Sequence, residues 1–82
     1  MERFTVELTA ANRCGVLNRI IGIYTKRKYN IDSMTVAETS DPGLSVIRIA
    51  SRGDRAVQEQ LTRQLQKLFD VKTVVLSNDP TL

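Results

Sequence analysis

Apolar residues recur along this chain at every second position, then at every third or fourth, and the order of that alternation is the tightest constraint on its fold. Phe4, Val6 and Leu8 mark one face of a strand over Arg3 to Ala10. Leu17, Ile20, Ile21 and Tyr24 fall at helical spacing, which predicts a helix from Val16 to Lys28 with Asn18, Arg19, Thr25 and Lys26 on its outer side. Ile31, Met34 and Val36 predict a strand from Asn30 to Glu38, and their uneven spacing points to a bulge near Asp32-Ser33. Thr39-Ser40-Asp41-Pro42-Gly43 is a dense turn signal, so Leu44 to Ser51 returns as the second arm of a hairpin. Asp54 reads as the N-cap of a second helix whose stripe is Val57, Leu61, Leu65 and Leu68, with Asp70 breaking it. Val71 to Leu76 is the last strand, and Ser77 to Leu82 is a polar, frayed tail.

The order β-α-β-β-α-β is the split βαβ, or ferredoxin-like, arrangement. It predicts an α+β domain in which two amphipathic helices cover one face of a four-stranded antiparallel sheet. Thr5, Glu7, Thr35 and Arg48 are expected to keep the other face wet. At 82 residues the core is thin, because a chain of this size buries only roughly 60–65% of its unfolded surface. With one Cys and no His, neither a disulfide framework nor a structural metal is expected to reinforce it. Oligomerisation is the remaining remedy, and a side-by-side dimer joining two sheets would also protect their edges. The lone cysteine and the absence of an apolar leader or spanning segment fit a cytoplasmic protein without a membrane role.

The loop Ala11-Asn12-Arg13-Cys14-Gly15-Val16-Leu17 joins the first strand to the first helix. It delivers backbone N–H groups at a helix N-terminus, where they lack intrahelical partners and the dipole is positive, so a carboxylate or phosphate is attracted there. Gly15 allows close approach to the backbone. Tyr29-Asn30-Ile31 is a second polar element, at the helix-to-strand junction. Each residue also has a purely structural role open to it: Asn12 as a turn or N-cap residue, Gly15 as a tight turn, Asn30 as a left-handed helix end.

Other functions of this fold lack their residues. Catalysis needs a base or an activated nucleophile, and there is no His, while Cys14 has no evident base beside it. A phosphatase cradle would need more than the one glycine of this loop. Single-stranded RNA binding needs aromatics on the inner strands, and Leu44-Ser45-Val46-Ile47-Arg48-Ile49 has none. Phe4 and Tyr24 are placed in the core, and Phe69 at the end of the second helix. A metal carrier would need a Cys pair. The net charge of +3 is scattered except for Lys26-Arg27-Lys28, which complements the dipole where the first helix ends. A sensor of a small acid fits best, with no nucleic-acid partner.

Four segments in order resemble the ACT domain of the small regulatory subunit of acetohydroxyacid (acetolactate) synthase. They are Asn12-Arg13-Cys14-Gly15-Val16-Leu17, Arg27-Lys28-Tyr29-Asn30-Ile31-Asp32-Ser33-Met34-Thr35-Val36-Ala37, Thr39-Ser40-Asp41-Pro42-Gly43-Leu44-Ser45, and Gln64-Leu65-Gln66-Lys67-Leu68-Phe69-Asp70-Val71. They match the family's N-x-x-G-[VA]-L, R-x-[YF]-N-I-[DE]-S-[LM]-T-V, D-P-x-x-S and Q-L-x-K-L-x-D-V patterns. The resemblance implies an ACT domain over residues 1–77, with 78–82 as a polar tail. It implies a non-catalytic subunit that activates the large catalytic subunit and confers feedback inhibition by valine or another branched-chain amino acid. Thiamine diphosphate, magnesium and FAD would belong to the large subunit, with no cofactor in this chain. The effector would sit at a homodimer interface, on Asn12, Gly15, Val16 and Leu17 of one chain and Asn30 and Ile31 of the other. Its carboxylate would meet the helix N–H groups, its ammonium the Asn12 or Asn30 amide, and its side chain Val16, Leu17 and Ile31. Arg13-Cys14 stands where the family often has an acidic or Ser-containing pair, and many members carry a second domain after this one. A free-standing ACT amino-acid sensor, or a structural dimerisation module for another enzyme or regulator, is the alternative.

Overall fold

The computed structural model describes residues 2–77. The polar tail expected at 78–82 lies outside the described residues. The element order is β1 (Arg3–Ala11), α1 (Val16–Lys26), β2 (Ile31–Glu38), β3 (Leu44–Arg52), α2 (Arg55–Gln66) and β4 (Val71–Ser77). All paired strands are antiparallel, in the order β2-β3-β1-β4, so β2 and β4 are the edges. This is the ferredoxin-like arrangement expected from the periodicity. Among the described residues, no helix is long and apolar enough to cross a membrane.

The core lies between the helices and one sheet face. Phe4, Val6, Leu8 and Ala10 alternate inward on β1, Ile47 and Ile49 do so on β3, and they meet Val16, Ile20 and Tyr24 of α1 and Leu61 and Leu65 of α2. Of the expected α1 stripe, Ile21 is outside this cluster, while Val16 and Ile23 join it. The inward face follows the four-residue step from Val16 through Ile20 to Tyr24, which rotates Ile21 toward the flank. On the opposite sheet face Thr35 and Arg48 are exposed, and Arg48 Nε donates to Glu7 Oε1 at 2.7 Å. Thr5, expected to be wet there, is buried, and its hydroxyl has no hydrogen-bond partner. It sits on an inner strand between Ala50 of β3 and Ser77 of β4, whose strands shield it on both sides.

The ends of the helices depart most from the sequence reading. Helix α1 stops at Lys26, two residues early, because Lys28 adopts a left-handed conformation (φ 59°) and Tyr29 N–H turns back to the Tyr24 carbonyl at 2.8 Å. That six-to-one bond is a Schellman ending. The left-handed residue is therefore Lys28 and not Asn30. Helix α2 opens as expected, with Asp54 accepting from the Val57 N–H at 3.0 Å. It ends at Gln66, so Asp70 does not break it, and Leu68 and Phe69 lie in the connection that follows. Between β2 and β3 the register steps from Ile31↔Ser51 to Ser33↔Ala50, leaving Asp32 as the extra residue of the anticipated bulge. A second bulge was not foreseen. Between β1 and β4 the pairing steps from Thr9↔Thr73 to Ala10↔Val71, and Lys72 is the extra residue.

Candidate functional site

Gly15 is the N-cap of α1, with φ 90° and ψ −16°. That left-handed conformation is open to glycine and costly for a residue with a Cβ. It turns the chain so that the helix begins without a capping side chain and without an acidic residue in its first turn. The Leu17 and Asn18 N–H groups therefore have no intrahelical acceptor, and the helix presents uncompensated partial positive charge. No heavy atom lies within 4 Å of the place a Gly15 Cβ would occupy, so the backbone is open to approach.

The loop before Gly15 is held from two sides. Asn12 N–H donates to the Gly43 carbonyl at 2.8 Å, and Asn12 Nδ2 donates to the Pro42 carbonyl at 3.3 Å. The hairpin turn that receives these bonds is itself fixed: Gly43 N–H donates to Asp41 Oδ1 at 2.8 Å and Asp41 N–H to the Thr39 hydroxyl at 3.0 Å. From the other side, Ala11 N–H donates to the Asp70 carbonyl at 2.7 Å. The Asp70 carboxylate takes a hydrogen bond from Arg19 Nη1 at 3.0 Å and lies 3.7 Å from Arg13 Nη1. Asn12 thus has the structural role open to it in the sequence, as a clamp onto the hairpin, and its side-chain nitrogen is engaged there.

A cleft of about 370 Å³ opens beside this loop. Asn12, Gly15, Val16 and Leu17 line it together, as expected. Val36, Ser45 and Ile47 close it from the sheet, a contribution the sequence reading missed. Val36 was legible as an apolar strand residue, and its position on the edge strand leaves it 51% exposed. Cys14 is exposed on the rim with its thiol free.

Asn30 and Ile31 do not line this cleft. Asn30 borders a separate, larger hollow of about 750 Å³ with Lys28, Tyr29, Arg52, Gly53, Asp54 and Val57. Its Nδ2 donates to Asp32 Oδ1 at 2.9 Å, and Asp32 Oδ2 accepts from Arg52 Nε at 3.0 Å. Tyr29 donates its hydroxyl to Gln60 Oε1 at 2.9 Å. Within one chain the expected site residues therefore form two groups. One lies beside Val36, toward the C-terminal end of β2, and the other stands at its N-terminal end. Among the described residues, no group of three or more His, Cys, Asp or Glu is placed to hold a metal ion.

The fold recurs in known proteins. The sequence model of the AHAS small subunit-like ACT domain matches residues 6–73. The acetolactate synthase isozyme 3 small subunit of Escherichia coli K12 is 51% identical over 63 residues, which cover 77% of this chain and 39% of that protein. The acetolactate synthase small subunit of Bacillus subtilis 168 is 51% identical over 71 residues, 84% of this chain and 41% of that one. The crystal structure of the acetolactate synthase small subunit from Thermotoga maritima superposes with a TM-score of 0.85 at 33% identity, over 93% of this chain and 47% of that chain. The chain thus spans about two fifths to one half of the length of these relatives. With a family match over residues 6–73, relatives about half identical and a shared fold, the chain belongs to the ACT-domain family of the acetohydroxyacid synthase small subunit.

Proposed function

We propose that this chain is the sensing domain of a non-catalytic regulatory subunit, one that raises the activity of the acetolactate synthase catalytic subunit and brings feedback inhibition by valine or another branched-chain amino acid. Thiamine diphosphate, magnesium and FAD belong, in this reading, to the catalytic subunit. The observation that carries it is the division of the candidate residues between the two ends of one edge strand, in a chain of this family. An edge strand has a free row of N–H and C=O groups and pairs readily with a second copy of itself. Antiparallel pairing of β2 with its two-fold mate sets the Ile31 end of one strand beside the Val36 end of the other. The cleft lined by Asn12, Gly15, Val16 and Leu17 then faces Asn30 and Ile31 of the second copy.

Chemistry favours an α-amino acid in such a site. The first-turn N–H groups of α1 stabilise a carboxylate, the Asn30 side-chain oxygen accepts from an ammonium group, and Val16, Leu17, Val36 and Ile31 surround a branched apolar side chain. A ligand bridging two chains shifts the dimer toward the arrangement it fits best, which is the thermodynamic requirement for allosteric control.

The test is acetolactate formation by the cognate catalytic subunit, titrated with this chain, with and without valine. Saturable activation that valine reverses supports the whole reading. Activation without inhibition removes valine as effector, and no effect on the catalytic subunit rejects the regulatory reading. Asn30→His weakens the valine response if Asn30 lines the site; an unchanged inhibition curve takes it out.

A further inference from the structure

Phe69 is the most exposed large apolar residue described, at 83%, against 55% for Val75 and 51% for Val36. The two valines lie on edge strands, whereas Phe69 stands in the short connection between α2 and β4. A polar residue would serve that connection without placing a ring in water. The ring's recorded partner is Lys72, whose Nζ lies 5.9 Å from its centroid. Lys72 is also the extra residue of the bulge between β1 and β4, and bulges re-aim side chains.

The connection that carries the ring is firmly held. The Asp70 carbonyl accepts from Ala11 N–H at 2.7 Å, Val71 N–H donates to the Leu68 carbonyl at 3.1 Å, and the Asp70 carboxylate holds Arg19. A ring presented on a fixed turn loses little conformational entropy when it is buried in a partner. Its surroundings are basic. Lys67 and Lys72 flank it in sequence, Arg13 and Arg19 converge on Asp70, and Asp70 is the one carboxylate among them.

We propose that Phe69, with Lys72 over its ring and the basic residues Lys67, Arg13 and Arg19 on the neighbouring surface, is the point at which this chain docks on the catalytic subunit, in an apolar pocket rimmed by carboxylates. The proposal rests on the regulatory-subunit reading and adds the surface that reading leaves open. An aromatic anchor buried at the centre of a charged rim is the usual make-up of an interface hot spot, with the rim supplying steering and register. A single ring away from the sheet offers no run of stacking positions, which favours a protein over a nucleic acid. Asp70 also joins the docking point to the candidate effector loop, through Ala11 by its carbonyl and Arg13 by its carboxylate.

The test titrates the catalytic subunit with the full chain and reads activation and binding for wild type, Phe69→Ala, Phe69→Tyr and Lys72→Glu. Phe69→Ala is expected to need at least about tenfold more chain for half-maximal activation, with its thermal unfolding unchanged because the ring packs on no core residue. Phe69→Tyr retains most of the affinity, and Lys72→Glu weakens it and flattens its salt dependence. Phe69→Ala within twofold of wild type, with wild type still activating, overturns the docking point and leaves the regulatory reading intact. Wild type that neither binds nor activates overturns both. If Phe69→Ala instead changes sedimentation of the free chain or abolishes binding of a single-stranded oligonucleotide, with activation unaltered, the ring serves self-association or nucleic acid and the proposal falls.

Discussion

Asp70 and Arg19 tie the turn after α2 to the first helix: the Asp70 side chain, 8% exposed, accepts from Arg19 Nη1 at 3.0 Å across 51 residues of sequence. The arginine is two-thirds exposed, so solvent screening weakens the charge component and leaves chiefly the hydrogen bond. Asp70→Asn is expected to destabilise the fold by about 1 kcal/mol. Asp70→Ala is expected to cost more, roughly 2 kcal/mol, since both arginines lose their acceptor. Chemical denaturation of the two variants checks the order.

Gly15 separates a backbone requirement from a ligand requirement. Its φ of 90° penalises any Cβ, but open space surrounds the position. Gly15→Ala is expected to cost about 1–2 kcal/mol of stability. Gly15→Asp adds a carboxylate that competes for the helix N–H groups, so it is expected to abolish the proposed valine response even where it folds. Equal valine inhibition in Gly15→Asp and wild type would remove this loop from the effector site.

Tyr24 carries a buried hydroxyl with no hydrogen-bond partner. Burial holds its pKa well above the ordinary phenol value, and the neighbouring Ser51 hydroxyl, which opposes the rise, is itself out of hydrogen-bond geometry. Tyr24→Phe is therefore expected to be neutral or stabilising by about 1 kcal/mol at pH 7. The folded state retains the phenolic proton that the unfolded state releases near pH 10. Stability is therefore insensitive to Tyr24 ionisation below about pH 10 and falls as pH rises further, by up to about 1.4 kcal/mol per unit. Urea melts at pH 8 and pH 11 check this, with a shallower decline in Tyr24→Phe.

Lys28 sits at the left-handed end of α1, where glycine is the usual occupant. Lys28→Gly is expected to raise stability by about 0.5–1 kcal/mol, as relief of the steric cost outweighs the added freedom of the unfolded chain. A lower melting temperature for Lys28→Gly would refute this account of how the helix ends.

Regular elements were legible because their signals are local. Phe4, Val6 and Leu8 alternate within five residues, and Asp54 caps α2 with a group three residues ahead of its donor. The Asp32 bulge also announced itself, in the uneven spacing of Ile31, Met34 and Val36. Distant partners left no such trace. The exposed Phe69 read as a helix end because nothing nearby shows that α2 stops at Gln66. The Lys72 bulge depends on where β1 meets β4, some sixty residues apart in sequence. At the candidate site, the glycine turn and the helix N-terminus were visible as motifs. Val36, Ser45 and Ile47 entered only when the hairpin folded back over the loop.

The extra residue at Asp32 is absorbed at the entry to the outer strand without disturbing the pairing that follows. It lets Ile31 and Met34, three positions apart, both pack against the core. If the same residues paired without a bulge, side chains would alternate strictly and one of the two would turn to the opposite face. Deleting Asp32 would set Ile31 two positions from Met34, on the same face of a regular strand, and leave every later pairing intact. What the extra residue adds is a carboxylate held between Asn30 and Arg52 at the mouth of the strand.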